Sequence, residues 1–157
     1  MSTLVNGKTN HKYIVTKITG EHALTIRLAE MGLSTGKVIT VVSPTKNGSG
    51  LVIYLAGQRL AISVSLSKLI EVTSLDEQEN TSPVPLTDIS VHDSCIIYQL
   101  NGNKAVRKRL MDMGLTRNTL IQVYHIAPLG DPIELQVRGY KLSIRKSEAT
   151  QILVKKV

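Results

Sequence analysis

The sequence predicts a mainly β protein built from two tandem small barrels, each with one short α-helix. Three observations predict this fold: an internal repeat, short strand-like segments bounded by turn residues, and a core that must be aliphatic. The chain has 157 residues, of which 42% are apolar and 20% charged. Such a composition is that of an ordinary globular protein. Because the chain contains no Phe and no Trp, aliphatic side chains must fill its core.

The repeat is the strongest signal of domain organisation. Segment 27–34 reappears as segment 109–116, and the offset of 82 residues continues without a gap. Between 18–72 and 100–154, 16 of 55 aligned positions are identical, mostly glycines and aliphatic residues. These residue types set turns and cores, so the chain is expected to contain two copies of one small fold.

The segment between the copies reads as a linker. Residues 73–85 are polar, acidic and punctuated by two prolines, with no apolar period. The sequence therefore predicts four segments. They are an N-terminal tail at 1–12, a first barrel at 13–73, a linker at 74–86 and a second barrel at 87–157.

One short helix is expected in each copy, because three apolar residues recur at i, i+4 and i+7 and share one helix face. These residues are Leu24, Leu28 and Met31 in the first copy and Val106, Leu110 and Met113 in the second. The spacing places both terminal methionines in the core. Gly32 and Gly114 follow directly, where a left-handed residue commonly ends a helix.

The rest of each copy is rich in short strand patterns. The predicted strands are 38–42, 51–55, 59–63 and 69–73 in the first copy and 120–124, 133–137, 141–145 and 151–155 in the second. Gly57 and Gly139 mark a hairpin turn in each copy. So few strands cannot form a sandwich, whereas closure into a small barrel removes exposed edges.

Charge and cysteine content exclude several classes of protein. The net charge of +7 is spread over both copies and permits an acidic protein, nucleic acid or anionic membrane as partner. The single Cys95 excludes an intramolecular disulfide framework and a cysteine-rich zinc site. No apolar run approaches the ~20 residues of a membrane span, and no secretory signal begins the sequence. A cytoplasmic protein is expected.

The second copy closely resembles FeoA domains. The resemblance rests on Met113-Gly114-Leu115-Thr116, the loop 127–132, the segment 137–145 and the continuation through Ile152-Leu153-Val154. The first copy keeps 31–33 and 57–62 but departs at 45–50, where a polar loop replaces the proline-rich one. The chain thus resembles a tandem FeoA-domain protein.

This resemblance implies an SH3-like barrel and a cytoplasmic accessory role in bacterial ferrous iron uptake. It also implies a partner, the membrane permease FeoB, whose cytoplasmic part binds GTP. Through this partner the chain could lie peripherally at the inner face of the membrane. Similar barrels form the C-terminal domain of DtxR-type repressors. Those repressors add a winged-helix DNA-binding part, and nothing in this sequence is long or helical enough to supply one, so an accessory of transport is predicted.

A proline-bounded loop is the predicted recognition element. Two prolines restrict the loop and lower the entropy lost on binding, which suits the presentation of one apolar residue. The alternative is a well-made hairpin turn in which the aspartate bonds local backbone. The predicted partner-binding residues are Pro128, Leu129, Gly130, Asp131, Pro132, Met111 and Arg109.

The metal signal is weak. His92 and Cys95 stand at i and i+3 and could supply two ligands to a transition metal such as Fe²⁺. Two ligands do not make a site, and a buried cysteine beside a surface histidine is the favoured interpretation. A metal-binding or metal-sensing module is therefore kept as an alternative function.

A basic helix supplies a third hypothesis. Lys104, Arg107 and Lys108 stand at i, i+3 and i+4 and could contact the phosphates of a nucleic acid. The helix lacks aromatic residues for base stacking, so no nucleic acid is expected. The favoured interpretations are a solvated helix face, or a face that steers the chain toward an acidic protein or an anionic membrane. No phosphate loop, nucleophile elbow or zinc-protease motif occurs, which predicts that the chain is not an enzyme.

Overall fold

The computed structural model describes residues 2–77 and 81–157. The chain divides into two compact units, Met1–Glu79 and Asn80–Val157. Within the described residues, each unit contains one six-stranded antiparallel sheet. The prediction of two small, mainly β units that repeat one fold is confirmed.

The first unit has six strands and two helices in its described part. In chain order they are β1 (Ser2–Thr3), β2 (Lys12–Ile18), α1 (His22–Glu30), β3 (Val38–Pro44), β4 (Gly50–Leu55), β5 (Gln58–Ser63), α2 (Val64–Ser67) and β6 (Ile70–Ser74). The strands are hydrogen-bonded in the order β1-β6-β2-β3-β4-β5. Hairpins join the last three strands of that order, as the turn glycines predict.

The second unit repeats this arrangement. Its elements are β7 (Val84–Pro85), β8 (Ser94–Leu100), α3 (Lys104–Asp112), β9 (Leu120–Ile126), β10 (Ile133–Val137), β11 (Tyr140–Ile144), α4 (Lys146–Ala149) and β12 (Ile152–Lys156). The sheet order is β11-β10-β9-β8-β12-β7, the same topology read from the opposite edge.

The predicted helix ends are confirmed by their backbone geometry. Gly32 has a φ of 90° and Gly114 a φ of 88°, both in the left-handed region that favours glycine. After α1, the Leu33 amide donates to the Leu28 carbonyl at 2.8 Å. The equivalent bond after α3 joins Leu115 to Leu110, so both helices end in a Schellman motif.

A second helix in each unit corrects the prediction of only one. Both α2 and α4 have four residues and follow an edge strand directly. Four residues are too few to show a helical period, so the sequence pattern did not reveal them. Ser63 caps α2 by accepting a bond from the Leu66 amide at 3.2 Å.

Two short strands lie in the ranges that the sequence assigned to a tail and a linker. Strand β1 pairs with β6, and β7 pairs with β12. A single turn of 3-10 helix follows each strand and buries one leucine, Leu4 or Leu86. A two-residue strand has no period, so composition alone made these segments look unstructured.

Each unit has its own aliphatic core. In the second unit it includes Cys95, Leu110, Leu115, Val123 and Leu135, each with 0% of its surface exposed. The methionine predictions need correction. Met31 is 41% exposed, and Met113 is only partly buried against the core. Both residues follow the last helical residue and therefore lie at the margin of the core.

Candidate functional site

The loop 127–132 joins β9 to β10 and carries the most exposed large apolar side chain of the described residues. Leu129 at its tip is 93% exposed. Two backbone hydrogen bonds close the loop, from the Ala127 amide to the Pro132 carbonyl at 3.1 Å and from Gly130 to Ala127 at 2.7 Å. A closed loop that holds an apolar side chain in water has the character of a preformed anchor for a partner's pocket.

Asp131 attaches this loop to α4. Its Oδ1 accepts a hydrogen bond from the Lys146 backbone amide at 3.0 Å, fifteen residues along the chain. The bond gives a partner to one of the backbone amides that the start of a helix leaves unpaired. Asp131 therefore does more than complete its own hairpin turn: it fixes the loop against the neighbouring helix.

Glu148 links α4 in turn to α3. Its Oε2 lies 3.3 Å from Nη1 of Arg109, and its Oε1 accepts a bond from the Arg145 amide at 2.9 Å. The glutamate side chain is 7% exposed and the arginine 55%. Arg109 thus joins α3 to α4 through this ion pair, and part of its guanidinium remains open to solvent.

Met111 does not share the flank of Arg109. Residues two apart on an α-helix lie about 200° apart around its axis. Because Arg109 points toward α4, Met111 points away from it, and its side chain is 53% exposed. The structure therefore connects Arg109 to the loop through α4 and places Met111 on the opposite flank of α3.

The equivalent loop of the first unit has a different chemistry. Asn47 occupies the position of Leu129, and its Oδ1 accepts bonds from Thr45 Oγ1 at 3.1 Å and from Ser49 Oγ at 2.6 Å. The Gly50 amide also donates to Thr45 Oγ1 at 3.0 Å. Polar side chains of this loop bond one another, and its tip is polar rather than apolar.

The weak metal candidates are not brought into one site. Cys95 is fully buried in the core of the second unit, and burial, with a smaller effect from Asp93, raises the pKa of its thiol to about 12. A metal ligand must be the thiolate, which this environment disfavours. His92 is exposed in the turn before β8. Within residues 2–77 and 81–157, no three potential ligands of the His, Cys, Asp and Glu types cluster.

Sequence reasoning missed three residues that join the elements of the second unit. Lys146 and Glu148 receive no role from periodicity, although Glu148 stands three residues after the N-cap Arg145, at the glutamate position of a capping box. Tyr140 in β11 carried no signal. Its hydroxyl donates to the Met113 carbonyl at 3.1 Å and so attaches the β10–β11 hairpin to the end of α3.

The second unit is thus a small β domain that presents a hairpin loop with an apolar tip, and the first unit repeats its topology. The family comparison makes the assignment specific. The FeoA domain model matches residues 2–74 and 84–156, which is most of the chain. The protein belongs to the FeoA family and contains two FeoA domains.

A curated relative carries the domain within a much longer protein. The Fe(2+) transport protein A/Fe(2+) transporter FeoB fusion protein of Porphyromonas gingivalis is 32% identical over 69 residues. The match covers 44% of this chain but only 8% of the fusion protein. The chain thus spans a small part of the length of this relative.

Solved structures with similarity to this chain include further FeoA proteins. A FeoA-like protein from Clostridium acetobutylicum is 40% identical over 49% of this chain and 90% of its own, with a TM-score of 0.47. Stenotrophomonas maltophilia FeoA, an SH3-domain protein complexed with zinc, is 24% identical over 46% and 89%, with a TM-score of 0.41. The manganese-activated repressor ScaR matches 47% of this chain and 35% of its own at 20% identity, with a TM-score of 0.44.

The described helices are short. None of those within residues 2–77 and 81–157 has the length and apolar character that a bilayer crossing requires.

Proposed function

We propose that this protein is a cytoplasmic accessory of ferrous iron uptake that binds the cytoplasmic part of a FeoB-type permease and modulates its activity. The observation that carries the proposal is the relative in which a matching segment and the transporter FeoB form one polypeptide. A functional association between two modules favours their fusion in one chain. Membership of the FeoA family supports the same role in ferrous iron transport.

The loop 127–132 is proposed as the contact. Leu129 is 93% exposed, and removing a leucine side chain from water contributes about 1.5–3 kcal/mol. The loop is closed by its own backbone bonds and held by the Asp131 contact to α4. Little conformational entropy is therefore lost when a partner encloses the tip. Binding is non-covalent, and the chain itself is proposed to catalyse no reaction.

The second unit is proposed to make the contact alone. In the first unit, Asn47 replaces the apolar tip and is held by hydrogen bonds inside its own loop. Two competent loops would raise the avidity for a clustered partner, whereas one competent loop gives simple binding to one site. A stoichiometry of one partner per chain is expected.

The test is binding of the full chain to the purified cytoplasmic domain of the permease from the same organism, with and without GTP. Leu129→Asp should weaken binding by about 30-fold or more, because a charge then replaces the buried anchor. The matched control is Asn47→Asp in the first unit, which should bind like the unaltered chain. Equal binding by both variants would exclude the loop, and no saturable binding by the unaltered chain would exclude the adaptor function.

A titration with Fe²⁺ under anaerobic conditions distinguishes the metal-module alternative. A stoichiometric, chelator-reversible binding heat together with absent permease binding would replace the adaptor proposal. Permease binding that persists in the presence of a chelator would support it.

A further inference from the structure

A basic face lies on α3, separate from the loop. Lys104, Arg107 and Lys108 are all exposed and lie at i, i+3 and i+4, so their side chains project from one side of the helix. Met111, which is 53% exposed, follows Arg107 by four residues and completes this face. The core-facing side of the same helix is apolar.

This face lies on a different flank of α3 from Arg109, which contacts α4. Arg109 reaches α4 through its ion pair with Glu148. At 100° per residue, Arg107 and Met111 each lie about 200° from Arg109 around the helix axis, whereas Lys104 lies about 140° and Lys108 about 100° from it. Arg107 and Met111 thus lie on a different flank of α3 from the contact with α4, so this face can be tested separately from the loop.

The basic residues do not serve the stability of α3. Lys104 is the first residue of the helix and Arg107 follows within its first turns, where the positive end of the helix dipole disfavours cations. The first turn contains no acidic residue that would offset them. The aligned residues of α1 are His22, Thr25 and Ile26, and the same helix forms there without the three charges.

The three cationic groups are also free of internal partners in the described part of the chain. Within residues 2–77 and 81–157, neither a hydrogen bond nor an ion pair engages the side chains of Lys104, Arg107 or Lys108. Asp112, four residues after Lys108, is the acidic residue of this helix. Three exposed charges on one side of α3, the first of them at the positive end of the helix dipole, favour an external anionic surface.

We propose that this face binds the anionic headgroups of a phospholipid membrane. Flexible cationic side chains around an unbranched apolar one suit a fluid surface of headgroups, which offers no fixed pairing geometry. A nucleic acid fits less well, because α3 has no aromatic side chain on which a base could stack. Each basic residue near an anionic bilayer strengthens binding by about fivefold.

Co-sedimentation of the full chain with phosphatidylcholine vesicles containing about one third phosphatidylglycerol tests this proposal. Binding should be absent from pure phosphatidylcholine and should fall steeply as salt is raised. Replacing Lys104, Arg107 and Lys108 together by Gln should lower the partition coefficient by about 100-fold. The matched control replaces the exposed Lys37, Lys46 and Lys68 of the first unit by Gln, and binding should then change by less than about threefold.

Equal losses for the two triple variants would overturn the proposal, because net charge and not this face would then determine binding. Binding of a DNA duplex that depends on the α3 triple, with no vesicle binding, would assign the face to nucleic acid and also overturn it. Both triple variants should keep the circular dichroism and melting temperature of the unaltered chain. Leu129→Asp should still bind vesicles, so the lipid result stands apart from the permease result.

Discussion

The carboxylate of Glu148 lies 3.3 Å from the guanidinium of Arg109 and joins the two helices of the second unit. The pair is asymmetric, because the glutamate is buried and the arginine is more than half exposed. The aligned residues in the first unit are Leu66 and Arg27, so the arginine is repeated but its acidic partner is not. The ion pair belongs to the unit that carries the apolar loop.

Removal of the arginine should therefore cost more than neutralisation of the glutamate. Arg109→Ala leaves a buried carboxylate without its cation, and we expect a loss of about 1–3 kcal/mol in the unfolding free energy of the second unit. Glu148→Gln keeps the oxygen that accepts from the Arg145 amide and should cost less than about 1 kcal/mol. Chemical denaturation of the three chains measures both. If the double variant Arg109→Ala, Glu148→Gln is no more stable than Arg109→Ala alone, the unpaired carboxylate is not the cause of the loss.

Asp131 should control the order of the loop. In Asp131→Ala the Lys146 amide loses its acceptor, so amide exchange across 127–132 should accelerate and permease binding should weaken by about three- to tenfold. Asp131→Asn retains a side-chain oxygen and serves as the control, with exchange and affinity close to those of the unaltered chain. Hydrogen exchange followed by mass spectrometry, together with the binding assay, checks the pair. Unchanged exchange in the alanine variant would show that the backbone bonds of the loop suffice.

Cys95 makes the stability of the second unit fall as pH rises above about 9. Its pKa is raised from 9.0 to about 12, first by burial and then by the charge of Asp93. The native state thus keeps the thiol proton that the unfolded chain loses above pH 9, so native stability falls as pH rises. The contribution is fully present below pH 9 and declines toward pH 12 with a limiting slope of about 1.4 kcal/mol per pH unit. Cys95→Val should lack this component when denaturation curves from pH 8 to pH 11 are compared. Parallel curves for the two chains would contradict it.

The paired cap glycines provide an internally controlled test of a tertiary contact. An added Cβ at Gly114 would stand 2.8 Å from Tyr140 Oη, whereas at Gly32 the nearest atom is 3.6 Å away on Leu55. Both residues have a left-handed φ, so either alanine costs about 1 kcal/mol from the backbone. Gly114→Ala should cost more, because it also displaces the Tyr140 hydroxyl from the Met113 carbonyl. Hydrogen exchange resolves the unfolding free energy of each unit. Equal losses in the two units would show that Tyr140 moves aside without cost.

Much of the fold followed from local patterns. The apolar spacing and the cap glycines identified α1 and α3, because helical period and left-handed backbone are properties of a few adjacent residues. The turn at Gly139 identified the hairpin of β10 and β11 for the same reason. By contrast, α2, α4, β1 and β7 are too short to show a period and are stabilised by partners far along the chain.

The candidate site was likewise predictable only in part. The loop 127–132 was predictable from its prolines, its glycine and its resemblance to a family. The bond from Asp131 to Lys146, the pairing of Arg109 with Glu148 and the opposite flank of Met111 were not, because each depends on which elements pack together.

The sequence by itself thus determined the duplication, the aliphatic cores, the two longer helices and the family to which both copies belong. Those features are encoded by residue types at short, regular spacings. Only the tertiary structure decided that Asp131 attaches the Leu129 loop to α4, that Asn47 bonds inside its own loop in the first unit, and that the Tyr140 hydroxyl bonds the Met113 carbonyl. Hydrogen bonds and burial between distant segments arise when the sheet forms, and no local pattern specifies them.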